Sequence, residues 1–75
     1  MSFSNDFWGI SVADVIRMDY AKLYMEIRVA SGDMADMDVI VEVTKRRIDA
    51  DSDAERLACS RIISSFLNGP DVIEG

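Results

Sequence analysis

Helix-capping signals divide this chain into segments, and they limit the folds that it can form. Ser11 is followed three residues later by Asp14, the pattern of an N-cap with an acidic residue in the first helical turn. Residues 31–33 have the composition of a turn, and Gly32 is the first residue after Ser11 that takes a left-handed C-cap freely. These signals predict a first helix over residues 12–30.

The last part of the chain carries an equally clear pair of signals. Ser52 and Glu55 have the spacing of a capping box. The Gly69-Pro70 pair stops a helix, because glycine accepts the C′ conformation and proline cannot continue the hydrogen-bonded spiral. A helix over residues 53–68 is therefore predicted. Residues 70–75 are expected to form a flexible acidic tail.

The middle segment is open to two interpretations. Residues 39–44 are almost all β-branched, which favours a strand over residues 38–48 and an α+β fold. No second strand-like run is present to pair with it, and acidic residues before basic ones match the dipole of a helix. A helix over residues 34–50 is favoured, with the strand as the alternative. In the helical interpretation one arc contains Met34, Met37, Ile40, Val41, Thr44 and Ile48.

These segments together predict an all-α fold, a small three-helix domain preceded by an aromatic N-terminal segment. A chain of 75 residues forms one domain. Folding so short a chain buries only about 60–65% of the surface that its unfolded form exposes, so its core is marginally stable. We therefore expect a homodimer or a higher oligomer.

The chemistry available to the chain is limited. It contains no histidine, a single cysteine and only isolated glycines, so it lacks the usual base, metal-ligand set and phosphate-binding loop. We expect no catalytic residues, no metal, no cofactor and no enzyme activity, and we interpret Cys59 as a small core residue. One cysteine and the absence of a long apolar run predict a cytoplasmic protein that does not enter membranes.

The first predicted helix has apolar residues on two sides. A wide stripe between Val12 and Ala30 would face the core, while Met18, Met25 and Val29 lie between two charged groups on the other side. A helix at the edge of a bundle needs only one apolar face, so the second predicts an interface between copies of the chain. The alternative is that these side chains are ordinary exposed residues or are flanked by two other helices.

The N-terminal segment is the second candidate surface. Phe3, Phe7 and Trp8 combine aromatic area with little charge, as binding hot spots do, and they are predicted to contact a partner protein. The alternative is that the rings fold back and close the core. These features favour a non-catalytic protein–protein interaction module that acts as a small regulator, inhibitor or adaptor of another protein.

Two other functions remain open. Eight acidic residues lie within residues 33–55, and an acidic surface of Asp33, Asp36, Asp38 and Glu42 could mimic nucleic-acid phosphates and inhibit a DNA- or RNA-binding protein. A small molecule could alternatively bind at an oligomer interface near Tyr20 and Tyr24. Direct nucleic-acid binding is not expected, because a net charge of −6 opposes phosphate contacts.

Overall fold

The structure, a computed structural model, describes residues 7–68, which form four α-helices. In chain order these are α1 (Val12–Arg17), α2 (Tyr20–Ala30), α3 (Asp36–Ile48) and α4 (Asp53–Asn68). Helix α4 lies at the centre and packs against each of the other three. Strand-like pairing within residues 7–68 is limited to one isolated bridge between Phe7 and Ile10. The predicted all-α class is confirmed, but the helices number four rather than three.

The extra helix arises because the predicted helix over residues 12–30 is interrupted at Met18 and Asp19. Both residues have extended backbone, with ψ angles of 146° and 167°. The Asp19 side chain accepts a hydrogen bond from the Lys22 amide at 3.0 Å, and Arg61 of α4 donates one to the Met18 carbonyl. Side chains thus form hydrogen bonds with backbone groups on both sides of the break, so the interruption costs little free energy.

The strand alternative for residues 38–48 is wrong, because this segment lies within α3. Val39 and Val43 are fully buried in the core, and α3 packs against α4. Packing of these two side chains outweighs the strand propensity of the β-branched run. The helix is shorter than the predicted 34–50, and its ends carry the expected acidic first turn and basic last turn.

The predicted capping residues occupy their places. Ser11 accepts a hydrogen bond from the Asp14 amide at 3.2 Å, and Ser52 accepts one from the Glu55 amide at 3.2 Å. Helix α4 spans the range expected from its start and stop signals. Gly32 has a positive φ of 67°, as the turn after α2 requires. The predicted tail over residues 70–75 lies outside the described residues.

The core lies between α4 and the inner sides of the other helices. Helix α4 supplies the largest share, and the Phe66 ring packs against the Tyr24 ring of α2 with centroids 4.8 Å apart. The buried apolar residues are Phe7, Val15, Leu23, Ile27, Val39, Val43, Ala58, Cys59, Ile62 and Phe66. Since α1, α2 and α3 all pack against α4, the outer sides of α2 and α3 remain exposed to solvent.

Candidate functional site

Helix α2 has a second apolar side, opposite its buried one. Leu23 and Ile27 are fully buried, whereas Met25 is 54% exposed and Val29 is 76% exposed. Ala21, which is also exposed, lies one turn before Met25. Residues four apart share one side of a helix, so Ala21, Met25 and Val29 form a continuous stripe. We call this stripe the α2 face.

Met18 does not belong to the α2 face. It is the C-cap of α1, and its half-buried side chain packs against the core. The predicted grouping of Met18 with Met25 and Val29 assumed one continuous helix, and the interruption at residues 18–19 removes that geometry. The predicted oligomer interface is corrected by leaving out Met18, while Met25 and Val29 remain candidates.

Helix α3 has an exposed apolar side along its whole length. Met37 is 66% exposed, Val41 47% and Ile48 78%, and Thr44 between them is exposed as well. Successive spacings of four, three and four residues keep these side chains on one side of the helix. We call Met37, Val41, Thr44 and Ile48 the α3 face.

The α3 face was missed as a surface in the sequence interpretation. Its residues belong to the apolar arc that identified the helix, and the structure turns most of that arc to solvent. Val39 and Val43 take the core positions instead, and Ile40 at the edge of the arc is half-buried. The available signal was that α3 carries two apolar sides, one more than a helix at the edge of a bundle needs.

Charged side chains of opposite sign follow the α3 face along one flank. Asp38 and Glu42 lie in the first half of the helix, Lys45 lies in the second, and all three are exposed. The ion pairs within residues 7–68 involve none of them. Exposed Asp49, the C-cap of α3, follows Lys45 by four residues on the same side, so this flank is acidic at both ends with one basic residue between them.

Of the four predicted acidic surface residues, Asp36 has a structural role. Arg28 of α2 donates to its carboxylate at 2.7 Å, and the Tyr24 hydroxyl donates to it at 3.2 Å. Burial and the bond to Asp36 raise the pKa of Tyr24. Asp36 thus ties α2 to α3, whereas Asp33, Asp38 and Glu42 are exposed as expected.

The structure describes two of the three aromatic residues that are predicted to contact a partner protein. Phe3 lies outside the described residues. Phe7 is fully buried in the core, which corrects its assignment as a partner contact. Trp8 is half-buried and has a φ of 52°, followed by Gly9 with a φ of 91°. Phe7 and Ile10 close this turn with two backbone hydrogen bonds of 2.8 and 3.0 Å. The positive φ angles match those of a tight type I′ hairpin turn.

The partly exposed Arg46 side chain contacts both the buried Phe7 ring and a buried carboxylate. The Arg46 guanidinium of α3 lies 4.1 Å from the centre of the Phe7 ring, and a second contact joins it to the Glu55 carboxylate of α4 at 3.7 Å. Glu55 is only 8% exposed. Cys59, one turn further along α4, is fully buried, and burial raises the pKa of its thiol. These groups are placed to stabilise the fold, and Cys59 is a core residue as predicted.

A shallow cleft lies at the junction of α1 and α2. Its volume is about 350 Å³, and it is lined by Asp14, Arg17, Met18, Asp19 and Lys22. The tyrosines predicted for a small-molecule site do not line it. The Tyr20 ring lies beneath Arg61, 4.9 Å from the guanidinium carbon, and Tyr24 packs on Phe66. The Nε atom of Arg61 is buried without a hydrogen-bond partner among the described residues.

Comparisons with protein-family models, curated proteins and solved structures find no match to this chain. Within residues 7–68, no helix combines the length and apolar character needed to cross a membrane. The same residues contain no group of three or more cysteine, aspartate or glutamate side chains arranged to hold a metal ion. The α2 and α3 faces are the candidate functional surfaces that the described geometry offers.

Proposed function

We propose that this protein is a non-catalytic protein–protein interaction module that associates with copies of itself and regulates, inhibits or recruits another protein. One observation carries the proposal. Helices α2 and α3 each bury one apolar side in the core and expose a second apolar side to solvent. Single exposed apolar residues are normal on protein surfaces, but aligned stripes are typical of interaction sites.

The energetics support this interpretation. Complete burial of one large apolar side chain stabilises a complex by roughly 1.5–3 kcal/mol. Met25 and Val29 on one helix and Met37 and Ile48 on the other are each more than half exposed, so both faces have much of this area left to bury. Methionine adapts to irregular partner surfaces, which suits a binding role.

The acidic mimic and the small-molecule binder have weaker support. Asp36 is held by Arg28, and exposed Lys45 and Arg47 occupy the other end of the same helix, which breaks up a phosphate-like array. The tyrosines expected to contact a small molecule pack on Arg61 and Phe66 instead. The described geometry favours neither function.

An affinity capture from the source cell's lysate tests the proposal. Immobilised wild-type protein is compared with Met25→Lys on the α2 face, Val41→Lys on the α3 face and Ala13→Lys as a matched control. Ala13 is exposed on α1 and lies outside both faces. We expect wild type and the control to retain a stoichiometric protein in high salt and at least one face variant to lose it, because apolar contacts resist salt screening.

Two results would contradict the proposal. Retention of the same proteins by wild type and both face variants would show that neither face binds. A partner that is released by salt from wild type and from all variants alike would indicate charge recognition and would favour the acidic mimic.

A further inference from the structure

We infer that residues 18–19 are a hinge at which α1 and α2 can join into one continuous helix, and that Arg61 of α4 holds the broken form. The inference concerns regulation of the α2 face, and in that respect it rests on the proposed function. Residues 12–30 contain neither glycine nor proline, so none of them opposes a helix. Met18 and Asp19 already have helical φ angles of −73° and −75°, so rotation about their two ψ angles converts one form into the other.

The chain before and after the hinge follows α4 in one direction, so joining the helices needs no reversal of the chain. Phe7, which precedes α1, shares the Arg46 guanidinium with Glu55 in the first turn of α4. Tyr24 of α2 packs on Phe66 in the last turn. A residue advances about 3.3 Å when extended and about 1.5 Å in a helix, so joining shortens the path by less than one helical turn.

The buried sides of the two helices are compatible with the continuous form. In a single helix, one half of the circumference holds the core residues Val12, Val15, Ile16, Leu23 and Ile27. A small sliding movement therefore leaves an apolar side of α1 against α4.

Hydrogen bonds favour each form in part. In the broken form the amides of Tyr20 and Ala21, the first two residues of α2, lack an acceptor one turn earlier, and the continuous form supplies it. The broken form has the Asp19 cap and the Arg61 bond to the Met18 carbonyl, and the guanidinium carbon lies 4.9 Å from the centre of the Tyr20 ring. Arg61 is incompletely satisfied there, because its Nε is buried without a hydrogen-bond partner among the described residues.

The hinge sets the length of the α2 face. In the broken form Met18 packs against the core. In the continuous form it lies about two helical turns before Met25, on the same side, and extends the stripe that ends at Val29. A protein that contacts Met18 and Met25 together binds the continuous form more tightly and shifts the equilibrium towards it.

NMR relaxation dispersion on the isolated wild-type protein tests the hinge. We expect exchange on the microsecond-to-millisecond timescale at the amides of Met18, Asp19 and Tyr20. Ala21→Pro should abolish it, because proline is tolerated in the first turn of α2 but interrupts a continuous helix. Ala13→Pro is the matched control, since it occupies the same position in α1 and stays in the first turn of both forms, and it should keep the exchange.

Removal of the guanidinium tests the role of Arg61. Arg61→Met should populate the continuous form, so the Cα chemical shifts of Met18 and Asp19 should move from extended to helical values. Arg47→Met removes the same charge from an exposed position of α3 and should leave these shifts extended. Adding Ala21→Pro to Arg61→Met should restore the extended shifts, which a general loss of stability would not do.

Two results would overturn the inference. One is a wild-type protein without exchange at residues 18–20, or with exchange that Ala21→Pro leaves unchanged. The other is an Arg61→Met variant that folds and keeps extended shifts at residues 18–19. If this variant does not fold, the wild-type and proline measurements still decide. All of them use the chain alone, so failure of the hinge is distinguishable from failure of the proposed function, which the lysate capture tests.

Discussion

At the scale of single residues, Arg46 has the clearest structural role. Its guanidinium contacts both the buried Phe7 ring and the Glu55 carboxylate, and it joins α3 to α4 and to Phe7. Phe7, which the sequence predicts to contact a partner protein, therefore packs inside the molecule. The cation stabilises the ring that it contacts, and it also pairs with a carboxylate that would be unstable if it were buried alone.

We predict that Arg46→Met lowers the free energy of unfolding by about 2–3 kcal/mol, because Glu55 is then buried without its ion pair and Phe7 loses the cation above its ring. Urea unfolding followed by circular dichroism measures the change. Arg47→Met removes an equal charge from the next position, which is exposed, and should alter stability by less than about 0.5 kcal/mol. Equal stabilities for the two variants would contradict this role of Arg46.

At the scale of helices, the interruption between α1 and α2 is the main feature that separates this fold from a simple three-helix bundle. It lets the short helix α1 and the longer helix α2 each pack on α4 independently. It also removes Met18 from the α2 face. The break depends on the Asp19 cap and on the Arg61 hydrogen bond from the central helix.

We predict that Asp19→Ala lowers the free energy of unfolding by about 1 kcal/mol, because the first turn of α2 loses its side-chain cap. Thermal unfolding measures the effect. Asp33→Ala, which removes an exposed carboxylate from the turn after α2, is the control and should change little. In a continuous helix over residues 12–30 the same alanine would stabilise the protein, since alanine is the best helix former. A stabilised Asp19→Ala variant would therefore contradict the interruption.

The sequence predicts the features that local chemistry determines. The caps at Ser11 and Ser52 follow from side-chain oxygens placed three residues before a free amide. The break at Met18 could not be predicted in the same way. No glycine or proline marks it, apolar periodicity continues across it, and Arg61, which stabilises it, lies 43 residues away in the chain. Only the Asp19 side chain offered a local signal.

The surfaces of α3 show a different limit of sequence reasoning. Val39 and Val43 on one side of the helix and Met37, Val41 and Ile48 on the other are similarly apolar. Periodicity identifies the helix but cannot decide which side faces the core, because that choice depends on how α4 packs against it. The exposed side became recognisable only once the fold was known.

At the scale of the whole molecule, the architecture accounts for the binding surfaces. Within residues 7–68, one central helix contacts all three others, so this part of the chain has a single core and no further helix that covers α2 or α3 from outside. The two exposed apolar faces are then available to different partners. We propose that these faces bind a second copy of the chain and another protein.

Site-specific photo-crosslinking in the source cell is the most direct test of this account. A benzophenone amino acid replaces Val29 on the α2 face, Ile48 on the α3 face or Ala13 as the exposed control. The account predicts crosslinked products, either with a different protein or of twice the chain mass, from positions 29 and 48 and none from position 13. Products at positions 29 and 48 no stronger than at position 13 would contradict it.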